Sequence, residues 1–182
     1  MKVKLAESEK ELLEILNLQK ENHLDHVPET LRQVDGFVTV KHDFDSLKKM
    51  NDQAKHVIAV DGGVVVGYAL VMLKEFRNLV PTLIPLFNTF EEVEYQGKKL
   101  GDHNYYAMGQ VCVAASHRGK GVFKALYQKH KTAYSNVFDI CLTEVSSSNP
   151  RSMNAHLKVG FKTIHTFKDA SDEWNILSWD WK

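Results

Sequence analysis

One stretch constrains this chain more than any other. From Gln110 an apolar alternating run (Val111, Val113) stops at a short polar turn, and Val122 to Lys131 then reads as a helix. The turn carries Arg118-Gly119-Lys120-Gly121. A strand that feeds a glycine turn and then a helix start aims several free backbone N–H groups at one point, where the helix dipole adds positive potential. Glycine lets the backbone come close to a ligand, and Arg118 and Lys120 add charge. Such a turn suits a pyrophosphate. A basic glycine turn alone says little; its place between a strand and a helix gives it meaning.

Two common phosphate turns are excluded. Gly121 is followed by Val122 rather than by Lys and a hydroxyl residue, so the nucleotide P-loop pattern Gly-x-x-x-x-Gly-Lys-Ser/Thr fails. The dinucleotide pattern Gly-x-Gly-x-x-Gly, with an acidic residue about twenty positions on, fails as well. What remains is a cofactor whose phosphates rest on a helix start while the rest runs beside the preceding strand. Coenzyme A fits that description. The cofactor-binding candidates on the turn and helix start are Arg118, Gly119, Lys120, Gly121, Val122 and Phe123.

A second segment repeats the theme. Ile140 to Val145 is a short β-rich run, Ser146-Ser147-Ser148 a loop, and Asn149-Pro150 a helix start with Asn as cap and Pro in the first helical position. Arg151 to Lys158 is the helix, Gly160 its left-handed stop, and Phe161 opens the next strand. The two segments together resemble the GNAT superfamily of acetyl-CoA-dependent N-acyltransferases. The family's first motif, Gln/Arg-x-x-Gly-x-Gly/Ala, falls on Ser116 to Gly121; both glycines match and Ser116 departs. The second, Asn-x-x-Ser/Ala-x-x-x-Tyr-x-Lys-x-Gly-Phe, falls on Asn149, Ser152, His156, Lys158, Gly160 and Phe161, with His156 in the place of Tyr. The motifs lie between about residues 105 and 165.

The resemblance implies a mixed α/β (α+β) fold, a central sheet of about seven strands flanked by four or so helices. It implies one domain over residues 1–182 and direct acetyl transfer from acetyl-CoA to an amine. The strand 105–113, with Val111, Cys112 and Val113 nearest the turn, would hold the pantetheine arm and acyl carbonyl through backbone groups, and Asn149 and Ser152 would touch the pantetheine or phosphate arm. His156 stands where the family's Tyr protonates the leaving thiolate; the plainer reading is a residue that closes over the sulfur. Asn149 is also explained by capping alone.

An amine is mostly protonated near neutral pH and must lose a proton before it attacks. The strand 105–113 offers no carboxylate, so the candidate bases are Glu144, Asp102 and His103, beside a water relay. Glu144 and His156 are the catalytic residues expected; no metal is. Cys112 and Cys141 sit in expected strands among apolar neighbours and read as buried free thiols of a cytoplasmic protein, so Cys112 is set aside as an acyl carrier.

The balance of 23 basic and 23 acidic residues gives no footprint for nucleic acid or an anionic membrane. No apolar run reaches the ~18 residues of a membrane span, and Met1-Lys2-Val3-Lys4 leads to no signal-peptide core. Ser8-x-x-Glu11 is a capping box, and Asp61-Gly62-Gly63 a hairpin turn between two strands. Residues 75–103 read as irregular, with a short helix over 86–93, and as a lid or specificity loop; Glu91, Glu92 and Glu94 would attract a cationic amine or form a solvated helix face. Tyr105 and Tyr106 pack the sheet or line the acceptor site. Trp174, Trp179 and Trp181 alternate along the last strand, as core or as a homodimer surface. A catalytically silent acyl-CoA-binding module with the same fold is the alternative to an enzyme.

Overall fold

The computed structural model describes residues 1–182, apart from the side chains of Gln33 and Val34. The chain runs β1 (Lys2–Leu5), α1 (Glu9–Asn22), α2 (Glu29–Asp35), α3 (Phe44–Gln53), β2 (Val57–Asp61), β3 (Val64–Met72), α4 (Ile84–Glu92), β4 (Glu94–Tyr95), β5 (Lys98–Lys99), β6 (Tyr105–Val113), α5 (Val122–Tyr134), β7 (Ile140–Ser146), α6 (Pro150–Val159), β8 (Lys162–Lys168) and β9 (Glu173–Asp180). Seven strands form one sheet in the order β1-β2-β3-β6-β7-β9-β8. Every pairing in it is antiparallel except β6 with β7.

The continuous apolar run of β3 reflects burial on both faces. Tyr68, Leu70 and Met72 point into the core under α1, α3 and α4, where Leu12, Ile15, Leu47, Phe87 and Phe90 meet them. Ala69 and Val71 alternate to the other face, under Leu126 and Tyr127 of α5, and Val66 joins them because the β2–β3 register shifts beside it. Ser8 and Glu11 form the expected capping box on α1. Gly62 and Gly63, with φ of 58° and 82°, make the expected turn between β2 and β3.

Six helices flank the sheet rather than about four. The additional short ones, such as α3 and α4, exist because they bury apolar faces (Leu47 and Met50; Phe87 and Phe90) that could not hold a helix alone. Residues 75–103 are more ordered than irregular chain: α4 enters the core, and β4 and β5 make a small hairpin about Gln96 and Gly97. Phe37–Val40 is extended but joins no sheet; Val38 makes a single bridge to His23. β9 is an interior strand, and Trp179 and Trp181 pack on Tyr127, Phe161 and Tyr106. Internal packing therefore accounts for these two aromatics.

The feature that positions the site is a fork. β6 and β7 pair only from Tyr105 opposite Ile140 to Ala107 opposite Leu142. There Thr143 donates its hydroxyl to the Met108 carbonyl at 3.0 Å. Beyond it β6 stays with β3 and β7 with β9, and a two-to-one bulge at Gly109–Gln110 opposite Leu70 bends β6 away. Two strand edges thus face each other with no ladder between them.

Candidate active site

Gly119 and Gly121 adopt φ of 74° and 79°, a region that costs other residues strain, and Gly121 caps α5 without any side-chain hydrogen bond to the helix start. A Cβ built on either glycine meets nothing within 4 Å. The first turn of a long helix is therefore open on the side the glycines face. From it a cleft of about 580 Å³ runs along β6 to α6. Val111, Cys112, Val113, Arg118, Gly119, Gly121, Val122, Phe123, Asn149 and Ser152 all line it.

Two basic residues behave differently from expectation. Lys120 is exposed and does not line the cleft. Arg118 lines it, but its guanidinium is a cross-tie: Nε donates to the Val113 carbonyl at 3.2 Å, Nη2 to Asn22 Oδ1 at 2.6 Å, and Nη1 pairs with Asp35 at 3.3 Å. Lys124, Arg151 and Lys158 line the cleft as well; sequence reading gave none of them a cofactor role, although Lys158 stands in the second motif. A signal existed, since Lys124 sits in the first turn after the glycine cap and Arg151 follows Asn149-Pro150.

The cleft narrows into a neck of about 80 Å³ at the fork, between Gly109–Val111 of β6 and Thr143–Val145 of β7, roofed by Phe37–Val40. The Asn149 amide fixes that roof by donating to the Phe37 carbonyl at 3.1 Å, while its Oδ1 accepts from Ser152 N at 3.1 Å to cap α6. Both roles belong to one side chain.

Beyond the neck lies a chamber of about 760 Å³, walled by Phe37, Leu83, Leu86, Phe167 and Trp174 and edged by Glu29, Asp169 and Asp172, with Arg32 as its cation. Arg32 donates to the carbonyls of Val27 and Leu24 at 3.2 and 3.1 Å. Glu144 borders both neck and chamber. Among the described residues no group hydrogen-bonds or ion-pairs its carboxylate. Burial, with the Asp169 charge adding to it, pushes Glu144 up to about 7. A half-buried carboxylate without a partner is ready to accept a proton near neutral pH.

His156 also borders the neck, yet its ring is turned into the protein. Nδ1 lies 2.8 Å from the Ser152 carbonyl, which can only accept, so the proton sits on Nδ1. Nε2 then accepts from the Tyr127 hydroxyl at 2.6 Å. Phe123, Tyr127 and Phe161 stand edge-on around the ring, and burial lowers its pKa to about 4. With both nitrogens engaged and no second proton, this ring has no proton to offer to the neck. The expectation of a direct acid at 156 does not match the side-chain geometry.

The other expected residues lie apart from the site. His103 Nε2 bonds the Tyr95 carbonyl at 2.8 Å, and Asp102 ends a turn outside neck and chamber. Tyr105 packs on Phe90, and Tyr106 on His130 with a 2.9 Å hydrogen bond, so both pack the sheet. Glu91 pairs with Arg77, and neither Glu91, Glu92 nor Glu94 lines the chamber. Of the tryptophans only Trp174 does. Cys112 and Cys141 are unpaired and buried, and burial pushes the Cys112 thiol up to about 12, which leaves no thiolate for acyl transfer. No group of metal-ligating side chains occurs among the described residues, and no helix is long and apolar enough to cross a membrane.

The fold has many solved counterparts. A ribosomal-protein-alanine N-acetyltransferase from Brucella melitensis is 18% identical with a TM-score of 0.65, over 99% of each chain. The yncA protein of Salmonella typhimurium, solved with its cofactor acetyl-CoA, is 15% identical with a TM-score of 0.62, over 100% of this chain and 94% of that one. The NatC complex bound to Gag peptide and CoA contains a chain 13% identical, TM-score 0.66, with 98% and 97% covered. No curated protein sequence matches. The model of the acetyltransferase (GNAT) family matches residues 12–161, a span that takes in the glycine cradle, the forked strands and both flanking helices, and the chain belongs to that family.

Proposed function

We propose that this protein transfers an acetyl group from acetyl-CoA directly to a primary amine of a small molecule or a protein. The observation that carries the reading is the neck: it joins a phosphate-compatible cleft to a separate chamber, and a partnerless carboxylate, Glu144, stands at the junction. Bound acetyl-CoA supplies an activated acetyl thioester. The N–H groups of residues 118–123 hold its pyrophosphate, with Lys124, Arg151 and Lys158 toward its phosphates. The unladdered edge of β6 at Val111–Val113 offers backbone groups to the pantetheine amides, as a sheet edge does to an added strand.

The amine enters from the chamber, where Glu29, Asp169 and Asp172 favour a cation and Phe37, Phe167 and Trp174 favour its hydrocarbon part. Glu144 takes the ammonium proton and frees the nitrogen lone pair for attack in the neck. A base whose pKa lies near working pH contributes roughly 10²- to 10⁴-fold. Protein amino groups belong to the acceptor class on the precedent of the ribosomal-protein-alanine enzyme. The buried, unpaired cysteines are in keeping with the expected cytoplasmic location.

The test is thiol release from acetyl-CoA across amino acids, polyamines, aminoglycosides and peptide N-termini. Turnover with at least one amine class is expected, with an acid limb near pH 7. Tight acetyl-CoA binding with no turnover on any of them would favour a silent acyl-CoA-binding module instead.

A further inference from the structure

Ser152 is the one hydroxyl that borders both the cofactor cleft and the neck while touching the His156 ring. Its Oγ lies 3.3 Å from His156 Nδ1, the nitrogen that carries the proton because it also faces the Ser152 carbonyl at 2.8 Å. Oγ is therefore the acceptor in that contact, and its own hydrogen is free to point elsewhere. Among the described residues Oγ makes no other hydrogen bond, and Ser152 borders both cleft and neck. The ring cannot turn to compete for it, since Nε2 is held by Tyr127 at 2.6 Å and aromatic rings enclose it.

We infer that Ser152 donates a hydrogen bond to the sulfur of the departing thiol, with His156 and Tyr127 as the positioning pair that aims it. The inference rests on the proposed function, because it requires coenzyme A in the cleft. Serine keeps its proton throughout. When the thioester C–S bond breaks, the electron pair passes to sulfur, the Oγ–H bond shares that charge, and water supplies the thiol proton on release. The basic groups that line the cleft, Lys124, Arg151 and Lys158, also favour a thiolate, and they do so equally with or without the hydroxyl.

The assay titrates the thiol of coenzyme A bound to the whole protein by the ultraviolet absorbance of the thiolate, and measures affinity by calorimetry. Ser152→Ala is expected to raise the bound-thiol pKa by about one pH unit, a tenfold loss of thiolate preference. The maximal rate should fall by about tenfold or more, with acetyl-CoA affinity nearly unchanged. Ser152→Thr, which keeps a hydroxyl, should restore both, and Tyr127→Phe should shift the thiol pKa in the same direction by less. Coenzyme A that binds Ser152→Ala with the wild-type thiol pKa would overturn the serine assignment alone. Failure of wild-type protein to bind coenzyme A would overturn the proposed function and this assignment together.

Discussion

Glu144→Gln separates a working base from a carboxylate that merely lines a wall. In the folded protein Glu144 titrates at about 7 rather than 4.5, because burial disfavours its ionised form and nothing pairs with it. The folded state therefore holds a proton that the unfolded chain releases between pH 4.5 and 7, so this group lowers stability as pH rises through that window. Above pH 7 the displacement of about two and a half pH units costs at most ~3.4 kcal/mol, less any relief from water reaching the partly exposed carboxylate. The near-isosteric glutamine removes the charge. The variant should match wild type below pH 4.5 and exceed it by ~1–3 kcal/mol at pH 8 in urea unfolding. Its kcat/KM should fall by roughly 10²-fold or more, and the acid limb near pH 7 should vanish. A protein that is both more stable and less active is the pattern of strain held for function. Equal or lower stability at pH 8 would refute the burial argument, and an unchanged acid limb would refute the base.

Gly121→Val should keep the fold, at a cost of roughly 1–2 kcal/mol for a β-branched residue at φ of 79°, and should weaken acetyl-CoA by at least ~100-fold, because the Cβ side that is now open would fill. Calorimetric titration checks this, and near-native affinity in a folded variant would move the phosphates elsewhere. Acid should unfold the protein steeply between pH 6.5 and 4. His42, His56, His130 and His156 are held neutral by burial, with pKa values lowered to about 4, 3, 4 and 4, so the unfolded chain binds up to four protons more across that window. Glu144 opposes them by one above pH 4.5, which leaves a slope of up to ~4 kcal/mol per pH unit in unfolding free energy measured against pH. A flat profile from pH 6.5 to 5 would contradict it.

What could be read in the sequence was local. Gly119 and Gly121 announce themselves because only glycine takes φ near +75° cheaply just before a helix, and Asn149-Pro150 marks a helix start for the same local reasons. The β4–β5 hairpin stayed hidden because each strand has two residues and its turn puts a non-glycine, Gln96, at φ of 50°. Burial is a long-range property, so the displaced titration of Glu144 was out of reach: it depends on a roof from residues 37–40 and on a loop near Asp169. The same holds for His156. Its place in the motif could be read, but its hydrogen-bond partner, Tyr127, lies 29 residues away on another helix. Trp179 and Trp181 share the spacing of one strand face while Trp174 falls on the other, so parity could be read; whether such a strand sits inside a sheet or at its edge is a matter of topology, and here it is interior.

These ties divide the labour at the site. Tyr127 and His156 lock α5 to α6, the two helices whose starts face the cleft. Asn149 ties α6 to the roof at Phe37, and Arg118 ties the glycine turn to Asn22 at the end of α1 and to Asp35 of α2. Several polar side chains that stand out in the motifs therefore hold the walls at a fixed separation, and wall spacing decides how much ordering a ligand must impose when it binds. In the proposed function, contact with the ligand falls to backbone N–H groups and to basic residues of which only Lys158 belongs to a motif. A histidine can bridge two helices through two ring nitrogens, whereas a tyrosine has one hydroxyl. On that account the histidine at 156 suits wall-holding better than proton delivery, and the hydroxyl of Ser152, which borders cleft and neck, is the group left to meet a departing sulfur.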